Sequence, residues 1–423
     1  MRLASPISIL GLILLVAVPA CRPRPQPPAP VTLPEPTPGP LPGTDSTPLT
    51  PVRREGLESF GRALATRLSA GEFDAVAREL DLTVLTDAAF SGIDWNENPK
   101  WLEVRDTLVR RLRTNPAELF SALQGGEVVF LRLRETPSGT AALLRCLIPS
   151  GAVTYFDVFA RFDETTGTAR LANMYNHATG LDIPDSLRSV LIALAPAADR
   201  SLADRLFGAE TIADPETMEA LDSALRQRDP SAVAAVWPKL PASLRRQRPV
   251  FMAALQVLML DPQAPGYLAA LEEARALYAN EPLADLLSID VHFLKNDTPE
   301  LVAALDRIAQ RLGGTDAHLE TLRASAKLTV NDEAGAEAAI DAALALEPGF
   351  ANALATRLRL LIARRDFPAA VALLQSTDDT TGRVLTPPDA SRGPAFSDFL
   401  SSPEYRKWKA SHPEPAQGEF IIK

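Results

Sequence analysis

The sequence predicts a multidomain chain. An α+β domain, made of helices and a four-stranded antiparallel meander, is followed by an all-α helical solenoid. Three observations lead there. Four strand-like runs, 127–135, 140–148, 152–162 and 168–176, are joined by Pro137-Ser138-Gly139, Pro149-Ser150-Gly151 and Thr165-Thr166-Gly167, which are short Gly-containing hairpin turns. From Pro184 onward the apolar pattern is helical almost throughout. An aspartate recurs in the turns between those helices, at Asp229, Asp261, Asp297, Asp332 and Asp366, with intervals of 32, 36, 35 and 34 residues.

The N-terminus comes first. Arg2 precedes an apolar run from Ile7 to Val18, too short for a finished bilayer span and right for the core of a signal peptide (1–20). The run ends Val18-Pro19-Ala20-Cys21. These residues resemble a bacterial lipobox, which implies a lipid-modified Cys21 as the new N-terminus. An ordinary secretory signal cleaved nearby is the alternative. Arg22 is not the aspartate that retains enterobacterial lipoproteins at the inner membrane, so the resemblance implies the outer membrane, facing the periplasm. Residues 22–52 hold 12 prolines and almost no large apolar side chain. Such a stretch forms an extended polyproline-like tether, reaching about 90 Å at ~3.1 Å per residue.

In the α+β domain (53–182), Leu57, Phe60, Leu64 and Leu68 mark one helical face. Gly71-Glu72-Phe73-Asp74 opens a short second helix. Trp101, Val104, Leu108 and Leu112 mark a third, stopped at Asn115-Pro116. The four strands follow.

The helical region (183–376) carries strong start signals at Asp214-Pro215-Glu216 and Asp229-Pro230. Leu301, Leu305 and Ile308 mark another buried helical face. In 316–375, Asn331-Asp332 sits in a turn, Ala336, Ile340 and Ala343 share a face, and Pro348 ends the unit. About one period on, Arg365-Asp366-Phe367 sits in a turn before Ala370 and Leu374. Ala270, Ala274 and Leu277 before Pro282 repeat the spacing. These residues resemble the tetratricopeptide (TPR) repeat, a helical pair that stacks into a solenoid. Glu320 and Ala324 stand where that family carries a large aromatic and a glycine. A generic helical bundle is the alternative. The resemblance implies a concave groove lined by first helices; by position it holds His318, Thr321, Ser325, Asn352 and Arg359. Residues 377–394 read as a loop, part of a C-terminal segment (377–423). In it Phe396, Phe399, Leu400, Tyr405 and Trp408 form an aromatic helix, restarted at Ser402-Pro403-Glu404, that caps the solenoid or docks a partner.

Composition narrows function. With 46% hydrophobic residues, 423 residues form several cores. A net charge of −10 argues against nucleic acid. The four histidines are scattered and no Cys-x-x-Cys exists, so no metal or other cofactor is expected. Cys146 reads as a small buried apolar residue.

Helices followed by a curved antiparallel sheet resemble the nuclear transport factor 2-like superfamily in element order, which implies a pocket on the concave sheet face. Tyr155, Asp157 and Arg161 share one face of the third strand, and Asn173, Tyr175 and His177 of the fourth are placed to join them. A carboxylate beside a tyrosine and a histidine can do acid–base work. A solvated face with an Asp–Arg pair, and a surface His177, is the plainer alternative. Three functions therefore stand. One is a lipid-anchored, non-enzymatic envelope scaffold that binds protein partners through the repeats. The second is a small-ligand binder or enzyme housed in 53–182. The third is mainly structural, a spacer or oligomer component.

Overall fold

The computed structural model describes residues 48–91, 99–148, 153–188, 215–246, 248–261, 265–279, 281–381 and 393–412. The leader, Cys21, most of the tether and Asp214 lie outside them. The chain divides into two compact units at Leu287/Ser288, within one helix. Among the described residues no helix is long and apolar enough to cross a membrane.

The first unit opens with α1 (Pro51–Ser69), α2 (Phe73–Ala77), α3 (Leu82–Ala89), α4 (Pro99–Thr114) and a 3₁₀ turn at Pro116–Leu123. The end of the proline-rich stretch is already helical. Thr50 Oγ1 accepts from the Arg53 N–H, and Pro51, whose missing N–H costs nothing in a first turn, starts α1. The short α3 had no sequence-based expectation.

The sheet follows: β1 (Glu127–Thr136), β2 (Gly139–Leu147), β3 (Val153–Asp163), β4 (Thr168–Asn176) and β5 (Leu181–Asp182), antiparallel in the order β1-β2-β3-β4-β5. The meander thus has five strands, not four. Gly180, at φ +65°, turns the chain back so that Tyr175 pairs Asp182. Only two residues follow before the chain turns helical over 183–188, too short a run to show period-2 patterning.

One sheet face supplies Leu144, Phe156, Val158, Leu171 and Met174 to a core with Leu64 and Leu68 of α1. Burying each such side chain stabilises by about 1.5–3 kcal/mol. Gly61 lets α1 approach closely, since a Cβ there would stand 2.5 Å from the Phe130 ring. Ser69 Oγ ties the end of α1 to both the carbonyl and the N–H of Val128, at 3.0 and 2.8 Å.

The same unit continues through α5 (Pro215–Gln227), α6 (Pro230–Val236), α7 (Ala242–Arg245), α8 (Arg248–Leu258) and α9 (Pro265–Leu277). Trp237, Phe251 and Tyr278 stack edge to face at 5.7 and 5.9 Å. The Trp237 indole N–H and Arg245 both donate to Glu273, at 3.0 and 2.8 Å. The helix α10 (Pro282–Leu294) spans the division between units.

The second unit holds α11 (Thr298–Arg311), α12 (Ala317–Thr329), α13 (Glu333–Leu346), α14 (Ala351–Ala363), α15 (Phe367–Thr381), α16 (Pro394–Ser401) and α17 (Pro403–Ser411). The first residues of the expected loop, 377–381, are helical. Ala336, Ile340, Ala343, Ala370 and Leu374 are buried, as their spacing predicts, and so are Leu301, Leu305 and Ile308.

The aspartate turns share one geometry. Arg228, Asn296, Asn331 and Arg365 are left-handed, with φ of 52°, 54°, 58° and 60°. Each stands one residue before a recurring aspartate. The aspartate N–H reaches back to a carbonyl five residues earlier: Asp229 to Ala224, Asp297 to His292, Asp332 to Lys327 and Asp366 to Leu361, at 2.8–3.1 Å. The left-handed residue bonds three residues back, as Asn331 does to Leu328 at 3.2 Å. This is a Schellman motif. Its last residue then caps the next helix, Asp332 accepting from the Gly335 N–H at 2.9 Å and Asp366 from the Ala369 N–H at 3.1 Å. One residue therefore satisfies orphan groups of two helices. Asp261 takes a different bond, to Leu258 at 3.1 Å, and the residues after it lie outside the described ones.

Two opposite outcomes are expected at these turns. Asp332→Ala loses a cap and lowers stability by about 1 kcal/mol. Arg228→Gly relieves a left-handed arginine and raises it by about 0.5–1 kcal/mol, net of glycine's extra chain entropy. Urea unfolding followed by circular dichroism reads both; equal signs would refute the turn assignment.

Ion pairs repeat with the turns. Arg323 donates to Asp306 at 2.7 Å, and Arg357 to Asp341. The two acids are 35 residues apart and the two arginines 34, matching the steps from Asn296 to Asn331 and from Asn331 to Arg365.

Candidate functional site

The predicted cluster sits on the sheet face opposite the α1 core. Phe156 and Val158 face α1, so Tyr155 and Asp157 face away. Register then places Asp157 between Leu143 and Tyr175, and Tyr155 beside Arg145. The His177 N–H donates to the Tyr155 carbonyl at 2.9 Å, extending the ladder past β4.

Asp157 is 4% exposed and His177 2%, which excludes the solvated face and the surface histidine. A carboxylate taken out of water needs partners. Asp157 Oδ2 lies 2.9 Å from His177 Nε2, and Oδ1 lies 3.5 Å from Arg134 Nη1. The Tyr175 ring meets the His177 imidazole edge-on at 5.2 Å. Tyr155 is fully buried beside them.

Arg161 does not join. A β-bulge between Phe159 and Ala160 breaks the β3–β4 register, and bulges re-aim the strand end. The Arg161 side chain is half exposed, and its guanidinium stands 4.0 Å from the Asp81 carboxylate. Asn173 stays buried and serves the next turn. Its Nδ2 donates to Asp182 at 2.9 Å, and its Oδ1 accepts from the Ile183 N–H at 3.3 Å.

Arg134 was not singled out by sequence reasoning, although Arg132 and Arg134 alternate correctly for one face of β1. A second group comes from far along the chain. Arg248 of α8 donates to the Gly180 carbonyl, grips both oxygens of Glu281 and lies over the Tyr278 ring, 4.6 Å from its centroid. A Cβ on Gly180 would meet Arg248 Nη1 at 2.3 Å, so glycine is needed for space as well as for φ.

The electrostatics follow. Burial pushes the Tyr175 phenol up to about 12, with the Arg248 charge working the other way. Burial is the largest influence and disfavours the Arg248 charge, but the hydrogen bond and the charge of Glu281, with smaller contributions from Tyr278 and Tyr175, together outweigh it and hold the guanidinium above its ordinary range. Burial, and then the neighbouring Asp185 charge, push the Asp182 carboxyl up to about 6.

The Asp182 shift has a stability consequence. A carboxyl raised on folding stabilises fully below its unfolded pKa, near 3.9, and that stabilisation is lost as pH rises through about 6. The expected loss is about 2 kcal/mol between pH 4 and 7. Asp185→Asn removes one cause and should flatten this slope. Urea midpoints across that range test it; a slope unchanged by Asp185→Asn would refute the coupling.

The groove residues are placed differently. His318 and Thr321 are buried in α12, His318 edge-on to Phe350 at 6.3 Å and Thr321 donating to the Ala317 carbonyl at 2.7 Å. Ser325, Asn352 and Arg359 are half-buried. Cys146 is buried and free, and burial pushes its thiol up to about 12, which suits packing rather than reactivity. Among the described residues, no group of three or more His, Cys, Asp or Glu side chains is arranged to hold a metal ion. Compared by sequence, the chain matches no family model and no curated protein.

Proposed function

We propose that the protein is a lipid-anchored adaptor of the bacterial envelope, without catalytic activity, that binds protein partners through its C-terminal helical hairpins. In this reading Cys21 carries the lipid and the proline-rich tether holds the folded units off the outer membrane, in the periplasm. The hairpins are TPR-like repeats. The observation that carries the reading is the 34–35-residue recurrence of one turn geometry and one ion pair across α11–α14. A regular period is what a stacked repeat requires, whereas a generic bundle has no reason to repeat its turns.

The test places photo-crosslinking residues at Ser325 and Asn352, and at Arg161 as a control, in the full chain in its native envelope. The same protein adduct from both groove positions, absent from Arg161, supports the reading. Adducts of equal intensity at all three positions, or at none, would refute it. Labelled palmitate incorporated by the native chain but not by Cys21→Ser tests the anchor.

A further inference from the structure

We propose that residues 181–188 are a pH-operated strap, closed on β4 in acid, when Asp182 carries a proton, and opening locally at neutral pH while the rest of the sheet stays folded. The inference does not depend on the helical-repeat reading.

The strap is lightly held. Its ladder to β4 is two pairs long, Tyr175 with Asp182 and Asn176 with Leu181. The run 183–188 adds Ile183 and Leu187 to the sheet core, and Arg188 donates to the Ser91 carbonyl at 3.2 Å. The remaining ties converge on Asp182. Its Oδ1 accepts from the Asp185 N–H at 2.8 Å and its Oδ2 from Asn173 Nδ2 at 2.9 Å, while Asn173 Oδ1 accepts from the Ile183 N–H. Just before the strap, Arg248 fixes the Gly180 carbonyl, so opening pivots there.

Charge decides which state wins. Asp182 is 3% exposed, and both its hydrogen-bond donors are neutral amides. The charged group acting on it is Asp185, another carboxylate. Arg248 and Arg188 act on Asp185 instead, and Arg248 is also engaged by Glu281 and lies over Tyr278. On the same sheet face Tyr175 is an uncharged phenol. Asp157 stands one strand beyond it, paired with His177, and Arg132, Arg134 and Arg145 lie on the strands after that. An ionised Asp182 is therefore a buried charge without a cation among the described residues, and it regains full solvation only by leaving.

Burial and the Asp185 charge push its carboxyl up to about 6 in the closed strap. In the open strap it returns to about 3.9. Below that value both states are protonated, so closure is strongest there and weakens as pH rises through about 6. Opening bares the β4 edge at Tyr175 and Asn176.

Native-state hydrogen exchange on the full chain, at pH 5 and 7.5 and corrected for intrinsic rates, tests this. Residues 181–188 should open about ten-fold more often at pH 7.5. That opening should be insensitive to sub-denaturing urea, whereas exchange over β2 and β3 should be slow and urea-sensitive. Asp182→Asn, neutral at every pH, should open equally at both. Three results would overturn the proposal. One is urea sensitivity over 181–188 equal to that of β2 and β3, which means global unfolding only. Another is an opening unchanged between the two pH values. The third is a pH dependence that survives in Asp182→Asn. The first two are read on the native chain, so a poorly folded variant does not leave the question open.

Discussion

Phe399→Ala is expected to lower the opening free energy of the C-terminal helices by about 3–5 kcal/mol, the largest effect predicted for this chain. Phe399 is fully buried. It meets the Phe367 ring at 5.6 Å and the Tyr405 ring at 5.0 Å, and Tyr405 stacks on Trp408 at 5.7 Å. Leu354, Leu358, Ile362, Ala370 and Leu374 complete the cluster. Truncation leaves a cavity under α16 and α17 that their short lengths cannot collapse. Hydrogen exchange over 351–381 and 394–411 reads the loss. Phe399→Leu, which keeps most of the volume, should cost far less, about 1 kcal/mol. Unchanged protection in Phe399→Ala would mean that the aromatic cap does not hold the last hairpin.

Arg248→Ala is expected to cost about 2–3 kcal/mol and to loosen the β4–β5 turn together with α8. The arginine is 18% exposed, and its removal strands the Glu281 carboxylate and the Gly180 carbonyl at once. Fully buried pairs cost more when broken, about 3–5 kcal/mol, but Glu281 is about one-third exposed and solvent recovers part of the loss. Arg248→Lys keeps the charge and loses the two-pronged grip, so it should fall between alanine and the native residue. Hydrogen exchange at 175–183 and 248–258 measures both variants. If Arg248→Lys matches native stability, a point charge suffices and the fork is not what holds the turn.

The strand runs, the aspartate caps and the buried small residues were legible because each depends on chain neighbours. Period-2 alternation, a glycine in a turn and an acid before a helix act over a few residues, and they hold whatever packs on them. The dual role of the aspartates was half visible. Their recurrence can be counted, but the left-handed residue before each is arginine or asparagine rather than glycine, so composition did not announce it.

The candidate site was legible only as a set of residue types on one face. The sequence by itself placed Tyr155, Asp157, Tyr175 and His177 on adjoining strands. Tertiary structure decided the rest. The bulge at Phe159/Ala160 removed Arg161, strand register supplied Arg134, and helix packing brought Arg248 across 68 residues to Gly180 and 33 to Glu281. It also buried Asp157 and His177, which alternation alone left free to face water. The physical reason is that periodicity fixes the face a side chain points to, whereas its solvent exposure and its partners depend on contacts between segments distant in sequence, which no local pattern encodes.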